Sequence, residues 1–314
     1  HFVRRRQRQM CIRDRLYSVM PRKETYGKTE EIIGNWFQHK KNRKDIILAS
    51  KIASKSEGLE WIRKGSKYLG FDKTNFNDAI DQSLKRLKTD YIDLYQLHWP
   101  ERKVPKFGVL DFEYDPSDQD WTPIEQVLDN LQDLINSGKI RYVGLSNETP
   151  WGVMKFLEIS KERNLPRMMS IQNVYSLVNR VFDIANSEVS IRENCGLLAY
   201  SPLAGGRLSG KYLENQNPKN SRYTLWPRRF SRHHTERGEK AIKSYVNLAK
   251  NLNIKPSTFA NAFVNNRPFV TSNIIGATSM DQLKENIDSI DIELSPEILK
   301  KINDIHLSDP NPCV

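Results

Sequence analysis

The sequence predicts an α/β fold, more narrowly a (β/α)8 barrel of the TIM-barrel type, from three observations. Short apolar runs alternate with longer amphipathic segments along the 314 residues, and this alternation is typical of a parallel sheet with right-handed crossovers. The motif G-x-G-x-x-G, which usually follows the first strand of a doubly wound dinucleotide-binding sheet, is absent. Polar residues follow several apolar runs, as in barrels whose chemistry lies at the carboxyl ends of the strands.

Six apolar runs are short and rich in Ile, Val, Leu and Tyr, and each is predicted to be a buried strand. The runs are residues 45–51, 90–99, 140–147, 168–176, 196–203 and 272–278. A helical pattern at 27–41 already precedes the first of them. We therefore expect the barrel to lack its first two strands in the chain as written.

The helices between the runs are predicted from apolar spacing and from capping residues. Apolar residues at helical spacing over 74–87 indicate an amphipathic helix. Thr122 is predicted to cap a helix whose first residue is Pro123, and Ser295 to cap a helix that begins at Pro296. The chain thus continues the strand–helix alternation to its last residues.

Composition predicts a globular protein with a cytoplasmic localisation. Hydrophobic residues make up 38% of the chain and charged residues 28%, and no apolar run reaches the roughly eighteen residues of a membrane span. The three cysteines follow no disulfide or zinc spacing. The net charge of +11 suits either nucleic acid or a phosphorylated small molecule, and the absence of zinc-finger and RNP motifs favours the small molecule. We expect no membrane partner, and the oligomeric state is not readable from the sequence.

The first fifteen residues differ in character from the rest of the chain. They hold six arginines and one aspartate and show no apolar periodicity. Because the segment resembles translated adapter sequence, we interpret residues 1–15 as a non-native segment and residues 16–314 as a barrel that is incomplete at its N-terminal end. An arginine-rich transit peptide is the alternative, and it agrees with the low acidic content.

Polar residues at the ends of the predicted strands are the candidates for chemistry. Lys51 and His98 end two successive strands, although a lysine that reaches the solvent at the barrel rim and a histidine bonded to backbone are the structural alternatives. Ser146, Asn147 and Gln172 follow the next two strands and offer both donors and acceptors, as a carboxamide ligand requires. Capping of the next helix by loop residues such as Thr149 is the alternative for this group.

Two glycine-containing stretches suggest phosphate binding. Residues 205–212 read GGRLSGKY and begin like a phosphate-binding loop, but Tyr212 stands where a magnesium-binding Ser or Thr is needed, which excludes a nucleoside triphosphatase. Backbone N–H groups and Lys211 still suit phosphate oxygens. Residues 276–287 follow a strand and open a helix, although an ordinary strand–helix turn is the alternative. His233 and His234 lack metal-site spacing, so we expect no metal and interpret them as part of a solvated loop.

Five stretches together resemble the aldo-keto reductase superfamily, in particular its Tas-like bacterial branch, which is related to the potassium-channel beta subunits. They are LKRLKTDYIDLYQLHWP, SGKIRYVGLSN, SIQNVYSLVNR, AYSPLAGGRLSGKY and GATSMDQLKENI, in the order of the family. The resemblance runs from about Leu16 to about His306. It implies a (β/α)8 barrel that binds NADPH without a Rossmann fold and reduces aldehydes and ketones, small-molecule carbonyl substrates.

The resemblance also implies roles for individual residues. The family's catalytic tyrosine, lysine and histidine match Tyr17, Lys51 and His98: the phenol donates a proton to the carbonyl oxygen, the ammonium lowers the pKa of the phenol, and the imidazole orients the carbonyl. The family's aspartate matches Ile12, so the chain as written is expected to be impaired. The positions implied for NADPH binding are Ser146, Asn147, Gln172, Tyr200, Ser201, Pro202, Leu203, Gly205, Leu208, Lys211, Arg222, Gly276, Thr278, Gln282, Glu285 and Asn286.

Two further classes of function compete with the reductase. Kinship with the channel subunits implies a non-catalytic, NADPH-binding regulatory subunit, which would bind the cofactor without turnover. A phosphate-binding barrel lyase or isomerase would not bind NADPH. The substrate is not identified by the sequence, and the residues interpreted as lining its pocket, or as a surface cluster, are Phe107, Phe112, Tyr114, Trp121, Trp226 and Phe230.

Overall fold

The structure, a computed structural model, describes residues 10–12, 23–56, 58–63, 68–226 and 231–314. The chain forms two compact units, of which the first comprises His1–Val104 and Glu113–Ile171 and the second Pro105–Phe112 and Gln172–Val314. Within the described ranges, no helix combines the length and the apolar character needed to cross a membrane. Residues 1–9 and 13–22, with Tyr17 and most of the segment interpreted as non-native, lie outside the described residues, as does Phe230.

Parallel strands and helices alternate in the first unit, as the sequence predicts. The elements are β1 (Met10–Ile12), α1 (Lys28–Lys40), β2 (Ile47–Ile52), α2 (Lys73–Leu87), β3 (Ile92–Leu97), α3 (Ile124–Asn136), β4 (Ile140–Ser146), α4 (Pro150–Glu162) and β5 (Met168–Gln172). The pairs β1–β2, β2–β3 and β3–β4 are all parallel. Each helix therefore returns the chain to the same end of the sheet, so that successive strands end at one edge.

The two faces of β2 are distinguished by their contacts. The hydroxyl of Ser50 donates a hydrogen bond of 2.6 Å to the carboxylate of Glu30 on α1, so Ser50 faces the helices. Because successive side chains of a strand point to opposite faces, Lys51 faces away from α1. The register places Lys51 opposite Gln96 of β3, and Gln96 opposite Gly144 of β4.

The second unit contains the remaining strand pair and most of the turns of interest. Its elements are α5 (Asn186–Arg192), β6 (Gly196–Tyr200), α6 (Arg222–Leu225), α7 (Glu236–Asn251), α8 (Pro256–Asn265), β7 (Val270–Ile274), α9 (Met280–Asp288) and α10 (Pro296–Ser308). Strands β6 and β7 pair in parallel, with Tyr200 opposite Ile274. The ring of Tyr175 stacks on Phe263 of α8 at 5.8 Å and helps to form the apolar core of this unit.

All six predicted strands are present, and the alternation of parallel strands with helices is confirmed. A seventh strand, β1, precedes them and was missed, because its arginine-rich surroundings show no apolar alternation. Ser295 caps α10 through Ile298 N, as predicted. The predicted cap at Thr122 is wrong: the residue before α3 is Pro123, and the N–H of Thr122 instead donates to the carboxylate of Glu101 at 2.8 Å.

Candidate active site

Lys51 is held at the carboxyl end of β2 by a neighbouring strand. Its ammonium donates a hydrogen bond of 2.9 Å to the side-chain carbonyl of Gln96, which is fully buried. The amide group of Gln96 reaches the carbonyl of Leu145 on β4 at 3.5 Å. Lys51 is half-buried, and a hydrogen bond to a charged donor is among the stronger ones. Gln96 therefore fixes the direction of the ammonium from inside the sheet.

His98 lies beside Lys51 because the strand pairing continues past the end of β3. The backbone N–H of His98 donates to the carbonyl of Ile52 at 3.0 Å. Because Lys51 pairs with Gln96, His98 lies two residues beyond the partner of Lys51, and its side chain is therefore expected on the same face of the sheet. Its ring is half-buried and lies 4.4 Å from the ring of Trp99. The indole N–H of Trp99 in turn donates to the carbonyl of Lys55 at 2.9 Å, which holds the segment after β3 against the segment after β2.

Asn147 joins the end of β4 to the same edge. Its side-chain amide donates to the carbonyl of His98 at 2.9 Å and to the hydroxyl of Ser146 at 3.2 Å. Asn147 adopts a left-handed backbone conformation with φ 53°, which asparagine tolerates better than most residues. The structure thus brings Lys51, His98, Ser146 and Asn147 to the carboxyl ends of neighbouring strands in the first unit, while their roles stay predictions.

A buried ion pair supports the segment that follows Asn147. The guanidinium of Arg102 contacts the carboxylate of Glu148, which is 4% exposed, and lies 4.9 Å from the ring of Trp151 on α4. Burial raises the pKa of Glu148, against the lowering influence of Arg102. The hydroxyl of Thr149 accepts from Gly152 N at 3.3 Å and caps α4, which was the structural alternative for this loop. Capping and a ligand-binding role for Ser146 and Asn147 are compatible, since different side chains serve each.

In the second unit, Gln172 and Tyr200 lie at the ends of their strands. Gln172 is 1% exposed, and Tyr200 is half-buried. Tyr200 N donates to Asn173 O at 3.1 Å, and Tyr175 N donates to Tyr200 O at 3.2 Å. These backbone bonds hold the segment after Gln172 against the end of β6.

The turn after β6 has an unusual backbone. Ser201, Ala204, Gly205 and Gly206 all have positive φ, at 60°, 47°, 69° and 101°. Such conformations cost energy in residues with a Cβ and persist only where surrounding contacts hold them. Pro202 and Leu208 are buried, whereas Leu203 is half-buried. The N–H groups of Ala204 and Gly206 donate within the turn, to Ser201 O at 2.9 Å and to Leu203 O at 2.8 Å, so hydrogen bonds of the turn itself help to hold this backbone.

Cationic side chains accompany this turn. A Cβ on Gly206 would lie 3.5 Å from Lys211 Cε, so the lysine stem passes directly over the glycine. The ammonium of Lys211 lies 5.2 Å from the ring of Tyr212. Arg222 begins α6 and is exposed. Lys211 and Arg222 are thus two cations of the second unit, a residue type that pairs with phosphate oxygens.

The segment before α9 is open to solvent. Gly276 has no atom within 4 Å of the position where a Cβ would lie, and Thr278 is exposed. The side-chain carbonyl of Gln282 accepts from Thr278 N at 3.0 Å and from its hydroxyl at 3.1 Å. The N-terminal turn of a helix attracts anions, so this surface fits a phosphorylated ligand.

Glu285 and Asn286 of α9 are engaged with the protein itself. Glu285 accepts from Lys255 at 2.6 Å and from Ser257 at 3.0 Å, and the bond to Lys255 lowers the pKa of its carboxyl group. Asn286 is 6% exposed; it accepts from Asn261 at 2.8 Å and donates to Gly276 O at 3.3 Å. Asn286 therefore stabilises the turn at Gly276 through this hydrogen bond.

His233 does not lie in a solvated loop, and that prediction is wrong. The residue is 3% exposed, and its Nδ1 lies 2.6 Å from the hydroxyl of Tyr223. His234 lies 3.0 Å from the guanidinium of Arg207 through its own Nδ1. Among the described residues, no group of three histidine, cysteine, aspartate or glutamate side chains is arranged to bind a metal ion.

The aromatic residues interpreted as lining a substrate pocket differ in placement. Trp121 lines a small cavity of the first unit together with Trp99 and Glu101, whereas Trp226 is half-buried in the second unit. Glu101 accepts from Phe71 N at 3.0 Å and from Thr122 N at 2.8 Å, and burial raises its pKa. Three others are largely exposed, at 52%, 64% and 77%: Phe107, Phe112 and Tyr114.

Sequence reasoning missed Gln96, Tyr223 and Glu101. Gln96 lies within an apolar strand, where one polar letter gives no signal until the register is known. The hydroxyl of Tyr223 donates to Ala204, 19 residues earlier in the chain, and the carboxylate of Glu101 accepts from Thr122, 21 residues later. The stretch LKRLKTDYIDLYQLHWP contains Gln96, but the pairing of Gln96 with Lys51 appears only from the register of the strands.

Known proteins resemble this chain over most of its length. The profile of the Aldo/keto reductase family matches residues 24–306. The protein Tas of Escherichia coli strain K12 is 44% identical over 93% of this chain and 83% of its own length. An aldo-keto reductase of Babesia bovis is 40% identical over 83% of this chain and 95% of its own.

A more distant relative has a more specific name. The aryl-alcohol dehydrogenase [NADP(+)] of Phanerodontia chrysosporium is 25% identical over 88% of this chain and 68% of its own length. The family match covers more than half of the chain and the first two relatives exceed 30% identity, so the similarity is not confined to a single motif. The chain belongs to the Aldo/keto reductase family.

Proposed function

We propose that this protein reduces aldehydes or ketones to alcohols with NADPH, and that Tyr17, Lys51 and His98 are its catalytic residues. Membership of the Aldo/keto reductase family supports an oxidoreductase that acts on carbonyl compounds. The name of the fungal relative supports NADP(H) as the cofactor. Tyr17 lies outside the described residues, so its role rests on the sequence motif.

One observation carries the proposal: Lys51 and His98 lie at the ends of two paired strands. The bond between His98 N and Ile52 O continues a register in which His98 lies two residues beyond the partner of Lys51, and Gln96 holds the ammonium of Lys51. A cation and an imidazole at one edge suit a reaction in which negative charge develops on a carbonyl oxygen.

The chain's own groups have separate tasks in the proposed reaction. When bound, NADPH supplies the hydride that the carbonyl carbon accepts. Tyr17 donates a proton to the carbonyl oxygen, and the positive charge of Lys51 stabilises the phenolate that remains. His98 donates a hydrogen bond to the same oxygen and orients the substrate. General acid catalysis of this kind contributes about 10²–10⁴-fold to a rate.

The resemblance assigns the cofactor contacts to particular residues. Ser146, Asn147 and Gln172 offer neutral donors and acceptors for the carboxamide, and Tyr200 offers an aromatic face. The turn from Ser201 to Gly206, with Leu208 and Lys211, is assigned to the diphosphate. Arg222 and the turn at Gly276 and Thr278, supported by Gln282, Glu285 and Asn286, are assigned to the adenosine end. Glycines and cations there support this assignment.

The proposal is tested by cofactor binding and by turnover measured on the same preparation. NADPH is titrated by its fluorescence, and its oxidation is then followed with an aromatic aldehyde. We expect saturable binding and oxidation that depends on the aldehyde, at a rate reduced because Ile12 stands at the position of the family's aspartate. Binding without oxidation would support the regulatory subunit instead, whereas absence of NADPH binding would support a lyase or isomerase.

A further inference from the structure

The hydroxyl of Tyr223 contacts the turn that follows β6. Tyr223 lies on α6 and is 2% exposed. Its hydroxyl donates to the carbonyl of Ala204 at 3.2 Å. Ala204 is itself in the left-handed region, with φ 47°. This bond therefore reaches one of the strained residues of the turn directly.

His233 completes a chain of hydrogen bonds that begins inside the second unit. Burial lowers the pKa of His233 to about 3, so the ring is neutral near pH 7. When the hydroxyl of Tyr223 donates to Ala204, the Nδ1–H tautomer of His233 donates in turn to that hydroxyl, which lies 2.6 Å away. His233 thus fixes the rotation of the hydroxyl, and consecutive hydrogen bonds polarise one another in a buried place.

The same hydroxyl excludes a side chain at the next residue. A Cβ on Gly205 would lie 2.6 Å from the Tyr223 oxygen, and Gly205 has φ 69°. The absence of a side chain at Gly205 therefore has two causes, the conformation of the backbone and the close approach of the phenol. Tyr223 fits against this turn closely enough to determine its shape.

Arg207 holds the other side of the phenol ring. It is 3% exposed, donates to Glu239 of α7 at 2.8 Å and lies 3.0 Å from Nδ1 of His234. Its guanidinium is 5.7 Å from the centre of the Tyr223 ring. The ring of Tyr223 therefore packs between the turn and the buried guanidinium of Arg207, whose charge is neutralised by Glu239 of α7.

We infer that Tyr223 and His233 are positioning residues, which hold the Ser201–Gly206 turn in the conformation that binds the diphosphate of the cofactor. The inference rests on the proposed function, because it concerns the turn assigned there to the diphosphate. It adds two residues that do not touch the ligand. It also explains why His233 and Tyr223 are buried together although both carry polar groups, which are costly to bury without partners.

The test compares Tyr223→Phe with a matched control, Tyr212→Phe. Both rings are buried and lie edge to face at 5.0 Å, but the hydroxyl of Tyr212 has no hydrogen-bond partner among the described residues. We expect Tyr223→Phe to weaken NADPH binding by about five- to tenfold, the usual consequence of losing one hydrogen bond. Tyr212→Phe should bind as the wild type does.

Two further readouts separate positioning from a general structural role. In Tyr223→Phe the KM for NADPH should rise while kcat is retained, since the reacting groups are untouched. NADH should lose affinity by the same factor as NADPH, because both carry the diphosphate, whereas Arg222→Met should weaken NADPH alone. His233→Leu should resemble Tyr223→Phe, and His233→Gln, which retains an N–H donor, should recover part of the affinity.

The outcomes are distinguishable. Unchanged NADPH binding by Tyr223→Phe, or an equal loss in Tyr212→Phe, overturns the inference and leaves the proposed function intact. A loss confined to NADPH, with NADH unaffected, also overturns it, because the effect then arises at the adenosine phosphate. Failure of the wild-type protein to bind either nucleotide overturns the proposed function and the inference with it.

Discussion

The edge that carries Lys51 and the turn that follows β6 are held in different ways. Lys51 and Gln96 lie opposite each other on paired strands, so the ladder of backbone hydrogen bonds fixes their separation. The turn from Ser201 to Gly206 has several positive φ values, and side chains from α6 and the residues before α7 hold it in place. A regular sheet positions the candidate chemistry, whereas specific side chains position the candidate phosphate site.

The comparison implies that substitutions in the two places should have different kinetic consequences. At the strand edge, a changed side chain alters a charge or a hydrogen bond while the backbone stays, so kcat should respond. In the turn, a substitution of a side chain that holds the backbone alters the conformation of the ligand-binding residues. Affinity for the cofactor should therefore fall.

Substitution of Lys51 is expected to have the largest effect. Lys51→Met removes the charge that stabilises a developing phenolate, and kcat for aldehyde reduction should fall by about 10²–10⁴-fold. NADPH affinity, measured by fluorescence titration, should stay near the wild-type value. Lys73→Met is the control, because Lys73 forms an exposed ion pair with Asp133; an equal loss in this control would contradict the assignment.

Gly205→Ala should have the next largest effect, on affinity and stability together. The added Cβ meets the Tyr223 oxygen and the backbone is left-handed, and such strain costs about 1–3 kcal/mol. Gly138→Ala is the control, since Gly138 also has positive φ but open space around the Cβ position. Denaturant unfolding should show a greater loss of unfolding free energy for Gly205→Ala than for Gly138→Ala. Only Gly205→Ala should weaken NADPH binding. Equal losses in both variants would show that backbone strain alone matters.

Replacing Gln96 should change the pH dependence of turnover. Gln96→Leu removes one hydrogen bond to the ammonium of Lys51, and kcat should fall by about tenfold, since the lower end of the range for a bond to a charged group is about 1.5 kcal/mol. Gln96→Glu places a carboxylate beside Lys51, which disfavours the phenolate. The alkaline limb of the pH–kcat profile should therefore move to higher pH. A profile identical to that of the wild type would contradict the contact.

His233 should make the smallest contribution, a dependence of stability on pH. Its pKa is lowered to about 3 in the folded protein, against about 6.5 in the unfolded chain. The unfolded state binds more protons between these values, so stability is present above pH 6.5 and is lost as the pH falls. Between pH 7.5 and 5.5 the wild type should lose about 1.4 kcal/mol of unfolding free energy more than His233→Gln. Denaturant unfolding at the two pH values measures this difference, and equal losses in the two proteins would mean that His233 is accessible to protons.

The strand edge could be predicted from the sequence better than the contacts that hold the turn after β6. The six strands could be predicted from their apolar runs, most clearly β3, which is buried throughout. Strand β7, whose residues are half-buried or exposed, begins two residues before its predicted run. The edge of Lys51, His98 and Asn147 followed from where those runs end. Gln96 was missed, because the importance of a polar residue inside a strand appears only from the register.

The errors in the prediction arise where distant residues take over a local role. Thr122 looks like a helix cap, yet its N–H is used by Glu101. His233 follows an arginine and precedes another histidine in a polar stretch, yet Tyr223 buries it. The ligand role of Asn286 stays a prediction, while both ends of its amide are bonded within the protein. The sequence around each residue carries no information about partners that are distant in the chain.

The central claim is that this member of the Aldo/keto reductase family separates cofactor binding from chemistry, with Lys51 serving the chemistry. The most direct test titrates the wild-type protein and Lys51→Met with NADPH and then adds an aromatic aldehyde to each. The account predicts equal NADPH affinity in the two proteins, with aldehyde-dependent oxidation in the wild type and almost none in the variant. Aldehyde reduction by Lys51→Met at the wild-type rate would contradict it.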